Sequence, residues 1–142
     1  MKIKELRIGN LVYGVFEDDE ENSNHSVCLV TGLSEDQYLG EGWNFMLENM
    51  ERKDVENYFE MKPIPLTQEW LLKFGFEKDN EVDEIDGMLF VIFYIGDYIV
   101  EHWISEDIFN FTDDCNLKVQ VSSVHQLQNL FFCLCGKELT IK

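Results

Sequence analysis

Basic residues are scarce in this chain: 11 Lys and Arg stand against 28 Asp and Glu, a formal charge of −17 at pH 7. Such a field repels nucleic-acid phosphates and anionic membrane surfaces, because both kinds of binding need clustered Lys and Arg. Direct nucleic-acid binding and membrane association are therefore not expected. Long apolar runs are also missing. The longest, "MLFVIFYI" at 88–95, falls far short of the roughly 20 residues a membrane-spanning helix needs. The stretch "MKIKELRIGN" has neither the apolar core nor the small-residue cleavage site of a signal peptide. A soluble, cytoplasmic protein is expected, in which Cys28, Cys115, Cys133 and Cys135 are free thiols. Nucleophile-elbow, phosphate-loop and dinucleotide fingerprints are absent too, so the sequence points away from an enzyme and implies no cofactor.

What remains is a chain of 142 residues, 45% apolar and 13% aromatic, long enough to bury a real core as a single domain, 1–142. Its first part, 1–62, reads as a small β sheet. "LRIGNLVYGVF" sets a Gly-Asn turn before a strand at 11–16, and "SVCLVTGL" reads as a second strand after the acidic tip "EDDEENSN". "DQYLGEG" offers a short third strand and "WNFML" a fourth, with a helix over 43–59 as the rival, since Trp43, Met46, Met50 and Val55 also fall near helical spacing. The stretch "IGNLV" resembles the opening of small Tudor-like or Src-homology-type barrels, which implies a strongly bent or barrel-like sheet.

The second part, 63–142, is better punctuated. Pro63 and Pro65 hold the chain extended, Thr67 is a good N-cap, and Gly75 supplies a left-handed stop from which Phe76 can fold back on Leu71. The spacing predicts a helix near 67–74. An acidic loop follows at 79–86. Two apolar runs then flank Gly96-Asp97, a two-residue hairpin signal. The first of them, apolar throughout, predicts a strand covered on both faces. "NLKVQVSS" predicts one more strand. In "SSVHQLQNLFFCLCGKELTIK", Ser123 and Gln126 have capping-box spacing, and Gly136 suits the stop. Val124, Leu127, Leu130, Phe131 and Leu134 make a core stripe opposite a polar side of Gln126, Gln128 and Asn129. A helix near 123–135 results, and the fold class is α+β with mostly antiparallel strands.

"LRIGN", "PIPLTQEWLLKFGF" and "VHQLQNLFFCLCGKELTI" together resemble a group of small bacterial proteins, some carried by phages or other mobile elements. The resemblance implies a shared fold; it carries no activity and no functional residue.

The candidate sites mostly have structural explanations. An EF-hand loop starting at Asp79 would need Gly at position 84 and a carboxylate at position 90, where Glu84 and Phe90 stand. Cys133 and Cys135 are two apart on a helix and point about 200° from each other, so they cannot share a metal. His25, His102 and His125 lie in different elements, and hairpin register sets His102 opposite Val91 as a hydrogen-bonded wall residue. No metal site is expected. The function favoured is a non-catalytic protein-interaction module, with Tyr13, Tyr38 and Trp43 as the candidate contact residues and an unknown protein as partner. The alternatives are an acidic nucleic-acid mimic that blocks a DNA-binding protein, an enzyme of unknown class, and self-association through apolar surface such as the 88–95 hairpin.

Overall fold

A computed structural model of the chain describes residues 2–16, 25–36, 42–56, 58, 60–112 and 118–142, with the backbone alone at 3, 35, 36 and 42–44. The chain folds into two five-stranded antiparallel sheets and two helices. After a 3-10 turn (Ile3–Glu5), the first sheet is built from β1 (Leu11–Val15), β2 (Ser26–Asp36), β3 (Gly42–Asn49), β4 (Val55–Glu56) and β5 (Glu60–Lys62). The second follows α1 (Gln68–Lys73) and comprises β6 (Glu77–Ile85), β7 (Met88–Ile95), β8 (Tyr98–Trp103), β9 (Ile108–Thr112) and β10 (Lys118–Val121); α2 (Val124–Cys135) closes the order. The α+β class and the antiparallel pairing match the sequence. The first sheet runs β4-β3-β2-β1-β5 and is open, with β4 and β5 as its two edges, so the barrel-like expectation is corrected. The helix considered over 43–59 is likewise excluded, because β3 pairs with β2 from Asp36↔Gly42 to Cys28↔Asn49.

Strand alternation gives the first sheet two apolar faces. Val12, Cys28, Val30 and Leu47 pack with Leu6, Tyr58 and Met61 in a small cluster. Leu11, with Tyr13, Val27 and Leu29 packed alongside, belongs to the large core that the two helices and the second sheet share. Gly14 is required inside the small cluster, because a Cβ there would lie 2.6 Å from the Tyr58 ring.

Both helices stand near their predicted positions. Thr67 Oγ1 accepts the Trp70 N–H at 3.3 Å. At the other end of α1, the Phe76 N–H reaches Leu71 O and the Gly75 N–H reaches Leu72 O, the two bonds of a Schellman stop, with Gly75 at φ 86°. α2 ends at Gly136, φ 70°, but its start differs from the predicted capping box. Ser123 Oγ turns to His125 Nδ1 at 3.1 Å and makes no cap bond; Gln126 Oε1 instead accepts from the Ser122 N–H and hydroxyl. Leu134, assigned to the core stripe, is exposed, whereas Gln128, assigned to the polar side, is buried.

Three more expectations change. Residues 79–86 are not a loop: nearly all lie in β6, and Asp86-Gly87, both at positive φ, turn it into β7. The β9 strand carries an alternation of Phe109 and Phe111 against Ile108, Asn110 and Thr112 that the sequence reading passed over. And β7 enters the large core through one face, while Met88 and Tyr94 on the other are exposed. Val91 and Phe93 enter the large core with Trp70 and Phe131, while Phe90 points to the other side.

Candidate functional site

The stretches 6–10, 63–76 and 124–141 meet at α2. Gln128 Oε1 accepts the Leu11 N–H at 2.8 Å, and its Nε2 donates to Gly9 O and Leu139 O at 3.2 and 3.1 Å. The pairing of β5 with β1 stops at Tyr13↔Lys62, so the Gln128 amide serves the Leu11 N–H where a strand partner has run out. Beside it, Asn129 Nδ2 donates to Glu5 O, and Asn129 Oδ1 accepts from Asn10 Nδ2. Arg7 pairs with Glu138 and lies 3.9 Å above the Phe132 ring. The "PIPL" stretch joins from the other side, through Leu66 N–H to Ser122 O and Val124 N–H to Ile64 O. All these contacts fasten secondary structure together. They explain the motifs as architecture, with the buried Arg7 Nη1 and His125 Nε2 left without hydrogen-bond partners.

The histidines and thiols fare similarly. His102 pairs opposite Val91 as the register predicted. One ring nitrogen, Nδ1, lies 2.7 Å from Gln68 Nε2 and the other, Nε2, 2.8 Å from Asp107 Oδ1, while the ring stacks on Phe109 at 4.2 Å. An amide donating to Nδ1 and Nε2–H donating to the carboxylate satisfy both sides, so this His–Asp pair has no free nitrogen for a substrate proton. His125 stands in the first turn of α2. It is buried, in a niche bordered by Glu5, Pro63 and Pro65, and that burial lowers its pKa. Cys28 is buried and its thiol pKa is raised by desolvation, the reverse of an activated nucleophile. Cys133 and Cys135 are free; Cys115 lies outside the described residues. Among the described residues, no three His, Cys, Asp or Glu side chains are grouped to hold a metal.

A denser set of titratable groups surrounds Tyr58. Its hydroxyl donates to Glu56 Oε2 at 2.6 Å and accepts from Asn49 Nδ2 at 3.1 Å; Arg52 pairs with Glu56. Burial, the contact with Cys28 and the Glu56 carboxylate push the phenol up to about 12. The Tyr58 bond is also the main cause holding the Glu56 carboxyl below its usual range. Asn49 Oδ1 meanwhile accepts from the N–H groups of Glu51 and Arg52, so the network shapes the turn between β3 and β4.

Of the expected contact residues, Tyr13 is half-buried against the large core, its ring 5.5 Å from His25. Tyr38 lies outside the described residues, and for Trp43 the description stops at the backbone. Of the three, Tyr13 alone has its side chain among the described residues. The second sheet carries an aromatic surface of its own. Antiparallel register puts Phe90 beside Trp103, Ile92 beside Glu101 and Tyr94 beside Ile99 on the face turned away from the helices. Phe90 and Trp103 stack at 4.7 Å. Met88, Tyr94 and Ile99 stand 39%, 38% and 36% exposed, and Ile85, opposite Met88, 51%. Carboxylates border this apolar face. The Tyr94 hydroxyl donates to Glu77, which raises the phenol's pKa, and Glu101 takes Trp103 Nε1 and Lys118 Nζ. In β6, Glu77 stands opposite Tyr94 and Asp83 opposite Phe90, with Asp79 and Glu81 in the register irregularity between Lys78 and Val82. The sequence signal for this face was present in the even-numbered residues of 88–95, but a run apolar at every position conceals which half is covered.

The chain matches no family model, no curated protein and no solved structure. No helix among the described residues is long and apolar enough to cross a membrane.

Proposed function

We propose that the protein is a non-catalytic interaction module that docks another protein on the open face of its second sheet. The observation that carries this is the exposure of Met88, Tyr94 and Ile99 on the sheet face turned away from the helices, beside a Trp103 ring that stacks on the buried Phe90. Aromatic residues held rigid on a strand give contact area at low entropic cost and recur as binding hot spots. The chemistry of the partner follows from charge. Among the described residues of the sheet, Glu77, Asp83 and Glu101 share the face with one cation, Lys118, in a chain of net charge −17. A partner with apolar residues flanked by Lys or Arg complements it, and a second copy of this chain does not.

The β6 carboxylates favour one further reading. Glu77, Asp79, Glu81 and Asp83 crowd one edge strand around a register irregularity between Lys78 and Val82, and such a cluster suits imitation of a charged backbone and capture of a basic nucleic-acid-binding protein. Affinity capture with the native cell's proteins separates the two. The exposed-residue variant Tyr94→Ser/Ile99→Lys is expected to lose the partner that the wild type retains. If that variant keeps it while Glu77→Gln/Glu81→Gln loses it, the mimic reading replaces the docking one. Equal recovery by all three proteins would overturn both.

A further inference from the structure

A second surface is independent of the open face. β10 is an edge strand of the second sheet, and a groove of about 380 Å³ runs beside it. Residues 119–121 form one wall, Gln126, Asn129 and Leu130 of α2 form the other, and Glu5 also borders it. The Ser122 N–H is taken by Gln126 Oε1 and its C=O by the Leu66 N–H, so neither faces β9. N–H and C=O groups of alternate residues point to the same side of a strand, and Gln120 and Lys118 therefore present theirs to the open edge. The chain already uses the same edge one step further on. Pro65 bridges Ser123 in antiparallel fashion, held by Leu66 N–H to Ser122 O and Val124 N–H to Ile64 O.

From this we propose that the groove is a peptide-binding site in which a short extended segment of another protein adds as a further strand to β10, continuing the line that residues 64–66 begin. Main-chain hydrogen bonds to Gln120 and Lys118 would hold it, as in other cases of strand addition to a sheet edge beside a helix. Alternate side chains of the segment enter the groove. The half-buried Val119 and Leu130 call for an apolar residue there, and Glu5 in the groove's lining calls for Lys or Arg next to it.

The test uses the full chain and a displayed library of random decapeptides, with the selected peptides synthesised and their affinities measured by fluorescence anisotropy. Leu130→Lys, which blocks the groove, should weaken binding at least tenfold. Gln120→Pro should do the same by removing an outward N–H that an edge strand can spare. Tyr94→Ser/Ile99→Lys should leave binding unchanged. Single N-methylation along the peptide should weaken binding at least tenfold at alternate residues and have little effect between them, which is the pattern of one paired and one free strand edge. Thermal melts establish that each variant is folded. If Gln120→Pro is not, Leu130→Lys and the methylation pattern still decide. Selected peptides indifferent to Leu130→Lys, a methylation profile without period two, or a selection that returns no groove-dependent peptide would each overturn the proposal.

Discussion

Gln128 has both ends of its amide committed, to the Leu11 N–H on one side and to Gly9 O and Leu139 O on the other. Gln128→Leu conserves much of the volume and strands three backbone groups. Leaving a buried donor or acceptor without a partner costs about 1–3 kcal/mol, so a loss on the order of 3 kcal/mol is expected in urea melts. A loss under about 1 kcal/mol would show that water replaces the amide. Tyr58 makes the second expectation at this scale. Its folded pKa is raised to about 12 from a usual value of 10.0, so the unfolded chain gives up the phenol proton first as pH rises. The stability tied to the neutral phenol is complete below about pH 10 and disappears between about 10 and 12. Absorbance titration should find one tyrosine that ionises last, and Tyr58→Phe should remove it. Gly14→Ala, which sets a methyl against that ring, should cost about 1–3 kcal/mol, as overpacking does.

Elements were legible where a local signal sets their ends. Thr67, Gly75 and Phe76 mark α1, Gly96-Asp97 marks the β7–β8 hairpin, and Gly136 marks the end of α2, because each of these features acts within a few residues of backbone. Asp86-Gly87 is an equally local hairpin signal, yet the acid-rich residues before it suggested a loop. β6 is a strand because β7 supplies hydrogen bonds to it, and its charges suit an exposed edge that resists pairing with other chains. The role of Gln128 could not be read from helical periodicity, since its partners lie 117 and 119 residues earlier in the chain. The two helix starts make the contrast measurable. Thr67→Ala should cost about 1 kcal/mol and Thr67→Ser much less, as for a true cap. Ser123 bonds its neighbour His125 instead. A double-mutant cycle of Ser123→Ala with His125→Ala should therefore show coupling of about 1 kcal/mol. Simple additivity would mean that Ser123 acts through the helix end after all.

At the scale of the whole molecule, the open face and the net charge oppose each other. Apolar area such as the Met88, Tyr94 and Ile99 patch favours burial against any matching surface, including its own copy. A formal charge of −17 on each chain, with Glu77, Asp83 and Glu101 on the face itself, resists that pairing. The repulsion acts over a Debye length of about 10 Å at 0.1 M salt and only about 3 Å at 1 M, while burial of apolar surface is not weakened by salt. The chain should therefore sediment as a monomer near pH 7 in low salt. It should associate reversibly in about 1 M salt, or as pH is lowered toward its isoelectric point of about 4.3. Tyr94→Ser/Ile99→Lys breaks the patch and should stay monomeric under both conditions. A dimer already present at low salt and neutral pH would show that charge does not guard this face. Equal association of variant and wild type would place the contact elsewhere, on the β10 edge or on the exposed Phe132 and Leu134 of α2, and Leu130→Lys would then discriminate between those two.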